Sequence, residues 1–159
     1  MADEKVPMTL LGKKTLEDEL KRLKTVERPA VVKAIEVARA HGDISENADY
    51  DAAKERQGFI EGRIMEINDK LARAQVIDPT SIKSSSIVFG ATVVLSDEES
   101  GEEVTYQIVG VDEADIKQGK VGVTSPIARA LIGKAEGDEV AVHAPKGIRR
   151  YEVLQVRYV

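Results

Sequence analysis

Residues 38–55 read "ARAHGDISENADYDAAKE". Gly42, a helix stopper, lies between two stretches whose apolar residues recur at helical spacing. Asp43, Glu46, Asp49 and Asp51 fall within nine residues, with no lysine or arginine between the first and the last. The stretch therefore marks a bend between two helices, with carboxylates crowded onto it. Either the acids are solvated helix caps or they are there to hold something positive.

Outward from the bend, both flanks have a helical period. On the N-terminal side Thr9 is a candidate N-cap, its hydroxyl placed to accept a free backbone N–H. Leu16, Leu20 and Leu23 follow at spacings of four and three, and Ala30, Ala34 and Val37 continue the seam, with Glu27 interrupting it. Pro29 lacks a backbone donor and is expected to kink or loosen the helix, after which Val31 and Ile35 offer an alternative stripe. On the C-terminal side Tyr50, Ala53, Gln57, Ile60, Ile64, Ile67, Leu71 and Ala74 alternate spacings of three and four, a heptad seam that needs a partner helix. A short link between two such helices favours an antiparallel hairpin. A dimerising coiled coil with an unimportant turn fits the same pattern, because periodicity does not fix oligomeric state.

The second half changes period. "AQVIDPTSIKSSS" (74–86) reads as a linker. "SIVFGATVVL" and "EEVTYQIVGV" read as strands around the turn "SDEESGE", and "KVGVT" as a third. "SPIARALIGK" reads as a short helix with Ser125 as cap, Pro126 at the first helical position and Gly133 as the stop. "DEVAVHA" and "RRYEVLQVRYV" form a hairpin across "PKGI". The fold class is α+β, with a helical hairpin over 1–77 and a small, mostly antiparallel sheet domain with one short helix over 78–159.

Composition narrows the function. Of 159 residues 42% are hydrophobic, enough for a core, and 4% are aromatic, few for a stacking surface. The absence of cysteine excludes disulfides and thiolate metal sites. "MADEKVPMTL" lacks the apolar core of a signal peptide, and no apolar run approaches the roughly 18 residues of a membrane span, so a soluble cytoplasmic protein is expected. The net charge of −5 is opposite to that of a protein that wraps nucleic acid. Residues 10–75 hold 13 basic and 13 acidic side chains, whereas residues 76–159 hold 9 and 13. Lys14, Lys21 and Arg28 recur every seven residues with Lys24 beside them, either a phosphate-following stripe or a solvated face. No nucleophile–base set, Walker loop or Rossmann fingerprint is present, and His41 and His143 fall in different halves. At the bend, Asp43 with Glu46 three residues on has the spacing of a capping box, with Ser45 as a competing cap. Asp49 and Asp51 are left over.

"HGDISENADYDAAKERQGFIEGRI", "RPAVVKAIEVARA", "SPIARALIGKAEGDEV" and "APKGIRRYEV" together resemble the Gre family of bacterial transcript-cleavage factors, and the resemblance covers nearly the whole chain. It implies an N-terminal antiparallel coiled coil and a C-terminal FKBP-like domain. It also implies a monomer that binds RNA polymerase through its secondary channel and stimulates cleavage of backtracked nascent RNA, without being an enzyme itself. In that reading Asp43 and Glu46 act on a Mg²⁺ shared with the polymerase active site and on the attacking water. Arg39 and Lys54 contact the RNA 3′ segment, and Ser45 and Asn47 shape the tip. The neutral balance of the first half matches the GreA type, with short cleavage products, better than the more basic GreB type. A Gre-like inhibitor without cleavage activity is the alternative. Prolyl isomerase activity is not expected, because Phe89, Tyr106, Tyr151 and Tyr158 are too few to line an aromatic pocket.

Overall fold

A computed structural model describes residues 4–41 and 47–159. The chain divides into two compact units, one holding Lys13–Ala74 and the other Lys5–Gly12 with Gln75–Val159. The segment 5–12 thus belongs with the sheet domain, although it lies within the span 1–77 read as the hairpin.

The first unit is a two-helix hairpin. Helix α1 (Leu10–Arg22) passes through a π-helical turn, Leu23–Glu27, into α2 (Arg28–Ala40), and α3 (Ala48–Ala72) returns. At 25 residues, α3 is about 37 Å long. Cross-helix contacts show the antiparallel sense, since Glu19 meets Arg63, Arg28 meets Glu61, and Ala38 meets Asn47.

The π turn is what the expected kink becomes. Pro29 has no N–H to give the carbonyl four residues back, and the preceding turn widens so that the Arg28 N–H reaches the Leu23 carbonyl, five residues away. A π turn inserts one extra residue, so every later side chain shifts by one position on the helix face. Leu16 is buried and Leu20 and Leu23 are half-buried, but the seam continues through Val31, Ile35 and Ala38. Ala30, Ala34 and Val37, expected to carry the seam, are exposed. On α3 the sequence pattern holds without a slip as far as Leu71, whereas Ala74, read as its last position, lies beyond the helix in the strand Ala74–Ile77. Ala53, Ile60, Ile64 and Ile67 are buried, and Tyr50, Gln57, Leu71 and Ala74 are half-buried. Ile60 and Ile64 pack against Val31, Leu20 and Leu23 of the same chain, so the hairpin fills its own seam.

The second unit contains a five-stranded sheet in the order β5-β4-β3-β7-β6. Its strands are β3 (Thr92–Asp97), β4 (Glu103–Val109), β5 (Lys120–Gly122), β6 (Glu139–Ala144) and β7 (Gly147–Arg157). All neighbours are antiparallel except β4 and β5. Val93 and Leu95 alternate inward on β3 and meet Ile87, Ile108, Val153 and the short helix α4 (Pro126–Leu131), which contributes Ala128 and Leu131. Ser125 caps α4, its hydroxyl accepting the Ala128 N–H at 3.3 Å, and Gly133 takes φ +92° just past its end. Asp97 also faces inward at the end of β3. Its carboxylate accepts the Glu99 and Ser100 N–H groups at 2.8 and 3.2 Å, which closes the β3–β4 turn.

The segment 74–86 is not a linker. Ala74–Ile77 forms β2 and pairs with β1 (Val6–Thr9) in a separate two-stranded sheet. Further on, the Tyr158 hydroxyl donates to the Ser86 carbonyl at 2.6 Å and accepts the Val88 N–H at 3.1 Å, and Ser86 bridges Ala135. Thr9 caps α1 as expected, accepting the Gly12 N–H at 3.1 Å. The Glu113 carboxylate, in turn, accepts the Thr9 hydroxyl, the Thr9 N–H at 3.0 Å and the Gly110 N–H at 3.0 Å. A Cβ on Gly12 would lie 2.2 Å from the Glu113 carboxyl carbon, so glycine is needed for that carboxylate to reach Thr9.

Candidate functional site

Two carboxylates, Asp43 and Glu46, and the turn residue Ser45 lie outside the described residues; their neighbours on both helices lie inside. His41 closes α2, its N–H reaching the Ala38 and Arg39 carbonyls. The cap of α3 is Asn47. Its side chain accepts the Tyr50 N–H at 3.1 Å and donates to the Ala38 carbonyl at 2.6 Å. The capping box expected of Asp43 and Glu46 lies outside the described residues, within which α3 starts at Ala48. One asparagine amide supplies both a donor and an acceptor, so it caps one helix and ties it to the end of the other. Asp49 and Asp51 fall in the first turn of α3, where negative charge meets the positive end of the helix dipole.

Arg39 and Lys54, fifteen positions apart in sequence, line one groove of about 290 Å³ with Val32, Ile35, Glu36 and Gln57. Positions 32, 35, 36 and 39 share a face of α2 at helical spacing, and 54 and 57 share a face of α3. The Arg39 guanidinium lies over the Tyr50 ring, 5.9 Å from its centroid, and the Lys54 ammonium donates to Gln57 Oε1 at 3.2 Å. A second groove of about 450 Å³ near the same end is lined mostly by Val31, Ala34, Val37, Ala38, Ala52 and Ala53. One groove of the hairpin thus holds two cations, and the other is mostly apolar, with His41, Asp49 and Arg56 also lining it.

A family model described as "Transcription elongation factor, N-terminal" matches residues 6–76, and one described as "Transcription elongation factor, GreA/GreB, C-term" matches residues 82–158. The chain belongs to the GreA/GreB transcription elongation factors. Transcription elongation factor GreA of Verminephrobacter eiseniae (strain EF01-2) is 65% identical over 96% of this chain and 98% of its own length. The GreA factor of Ralstonia nicotianae is 65% identical over 97% and 98%. Among solved structures, a GreA/GreB elongation factor from Nitrosomonas europaea is 25% identical over 97% of this chain and 100% of that one, with a TM-score of 0.42.

In this GreA/GreB chain the basic stripe of α1 and α2 divides. Arg28 makes a two-pronged ion pair with Glu61 at 2.7 and 2.8 Å and is a cross-helix tie. Lys14, Lys21 and Lys24 are exposed. Arg63 grips Glu19 with two bonds of 2.7 Å and also pairs with Glu66, and Arg56 pairs with Glu27. The hydrogen bonds from Arg63 hold the Glu19 carboxyl below its ordinary range, and Arg28 does the same to Glu61. Among the described residues no group of three histidine or acidic side chains could hold a metal ion. The two tip carboxylates are the hard oxygen donors Mg²⁺ takes, and they are too few to hold it without further ligands. In the sheet domain Tyr151 is buried in the core, and Phe89, Tyr106 and Tyr158 pack against it. Among the described residues no helix is long and apolar enough to cross a membrane.

Proposed function

We propose that this elongation factor acts, as a cytoplasmic monomer, by placing the tip of its hairpin in the secondary channel of bacterial RNA polymerase and stimulating the polymerase's own cleavage of backtracked nascent RNA. The observation that carries the reading is the pairing of Arg39 and Lys54, from opposite helices, in one groove of the hairpin. A two-helix hairpin with two cations in one groove and an acidic sequence between its helices suits a narrow channel that holds an RNA end. The chain supplies no complete catalytic set, and in this reading it needs none.

Each residue has a separable task. Arg39 and Lys54 neutralise phosphates of the extruded RNA and hold its 3′ segment. Asp43 and Glu46 supply oxygen ligands to a Mg²⁺ shared with the polymerase, and they orient the attacking water by accepting its hydrogen bonds. When bound there, the ion supplies charge stabilisation for phosphodiester hydrolysis. Asn47 fixes the start of α3 and so the exit of the tip from the hairpin, and Ser45 shapes the turn. The sheet domain docks at the channel rim.

The test is a transcript-cleavage assay on halted, backtracked polymerase complexes with the protein titrated in. Release of short 3′ fragments in proportion to bound protein is expected. Inhibition of synthesis with no cleavage would instead establish the Gre-like inhibitor.

A further inference from the structure

We propose that the groove of Arg39 and Lys54 is a nucleobase subsite for single-stranded RNA, in which Glu36 and Gln57 read the base edge and favour guanine. This rests on the reading of Arg39 and Lys54 as RNA contacts and adds what lies between them. The six lining residues, Val32, Ile35, Glu36, Arg39, Lys54 and Gln57, divide by chemistry. The two cations suit phosphate. The other four are not what a phosphate site calls for, and Glu36 opposes one.

A base accounts for all six. Val32 and Ile35 give an apolar wall, and Val32 is 43% exposed and available to it. Arg39, held over the Tyr50 ring, is a planar cation backed by an aromatic face, a ready stacking partner. Lys54 engages Gln57 Oε1, which commits the amide oxygen and leaves the amide NH₂ to donate into the groove. A donor amide and an acceptor carboxylate then share one cavity. Guanine matches that pair best. Its N1–H and amino group are adjacent donors that one carboxylate accepts together, and its O6 accepts from an amide. Adenine and cytosine offer a single amino group on that edge, and uracil a single N–H.

The experiment uses the full-length protein on complexes backtracked by one nucleotide that differ only in the unpaired 3′ base. Stimulated cleavage at sub-saturating protein is divided by the unstimulated rate of the same complex. A guanine 3′ end is expected to be favoured about fivefold or more, the low end for a bidentate base contact. Glu36→Gln and Gln57→Ala are each expected to flatten that ratio, whereas Arg39→Ala raises the half-saturating concentration for all four bases. Equal stimulation of the four bases by the wild type, or a guanine preference that survives both Glu36→Gln and Gln57→Ala, overturns the subsite and leaves the RNA contacts standing. An Arg39→Ala, Lys54→Ala double variant that behaves as wild type on every template removes the RNA contacts, and the subsite with them.

Discussion

The hairpin and the sheet domain are held together by different means. The sheet domain closes a core around side chains with no exposure, among them Leu95, Ile108, Leu131 and Val153. The hairpin buries one stripe per helix and adds cross-helix ion pairs, Glu19–Arg63, Arg28–Glu61 and Glu27–Arg56. On the hairpin Phe59 and Met65 stay 77% and 72% exposed. The lesson is that a two-helix hairpin replaces part of its core by charge, and its cohesion then depends on pH and salt more than that of the sheet does.

The largest effect that could break this contrast is in the cores. Leu95→Ala is expected to destabilise the sheet domain by about 2–5 kcal/mol, measured by denaturant unfolding. A cost below about 1 kcal/mol would mean that the site collapses freely and is not a packed core. The seam of the hairpin gives the next test, because it checks the one-residue slip at the π turn. Ile35→Ala is expected to cost about 2 kcal/mol or more and its near neighbour Val37→Ala about 0.5 kcal/mol or less. The reverse order would restore the unslipped seam.

Charge is the third. Glu19, Glu61 and Asp69 all have carboxyls held low by arginine partners, Arg63, Arg28 and Arg73. A carboxyl whose folded pKa is depressed stabilises the fold above its unfolded value and loses that contribution as pH falls through the folded one. The helical signal of the hairpin is therefore expected to weaken below about pH 4.5, the ordinary value for glutamate. In the sheet domain Asp97 behaves in the same sense, its carboxyl lowered by the Glu99 and Ser100 N–H groups, whereas burial and Glu139 push Glu98 up. Followed residue by residue by NMR, acid should loosen the hairpin before the sheet; simultaneous loss would contradict the division. Arg63→Ala at neutral pH is expected to cost about 1 kcal/mol, less in high salt. Loss of the cap by Asn47→Ala is expected to be of similar size, about 1 kcal/mol, and confined to the first turn of α3 in hydrogen exchange.

What was legible in the sequence follows from how local each signal is. The α3 seam could be read from Tyr50 to Leu71 because nothing interrupts its period there, and only Ala74, which falls in β2, was carried too far. The α2 seam could be read only as two alternatives, of which the stripe of Val31 and Ile35 holds, since a proline announces a disturbance without saying whether the helix kinks or takes in a residue. β1 and β2 were missed because four residues, one of them Pro7, carry no period, and the partner strand lies some seventy positions away. Ser125, Pro126 and Gly133 marked α4 correctly because caps act within a turn. At the candidate site Arg39 and Lys54 were singled out by their place near the bend and by resemblance, and their shared groove required the register of two helices. Glu36 and Val32 were missed there, although their spacing from Arg39 on one helix face was a usable signal. The bend offered several residues able to cap α3, and the choice of Asn47 depended on the Ala38 carbonyl opposite it.

The most direct measurement is cleavage of RNA in backtracked polymerase complexes by the Asp43→Ala, Glu46→Ala double variant, with binding to polymerase measured in the same samples. Binding close to wild type with cleavage reduced to the unstimulated rate is the predicted result. Full stimulation by the double variant would contradict the assignment of the hairpin tip as the source of the assisting carboxylates.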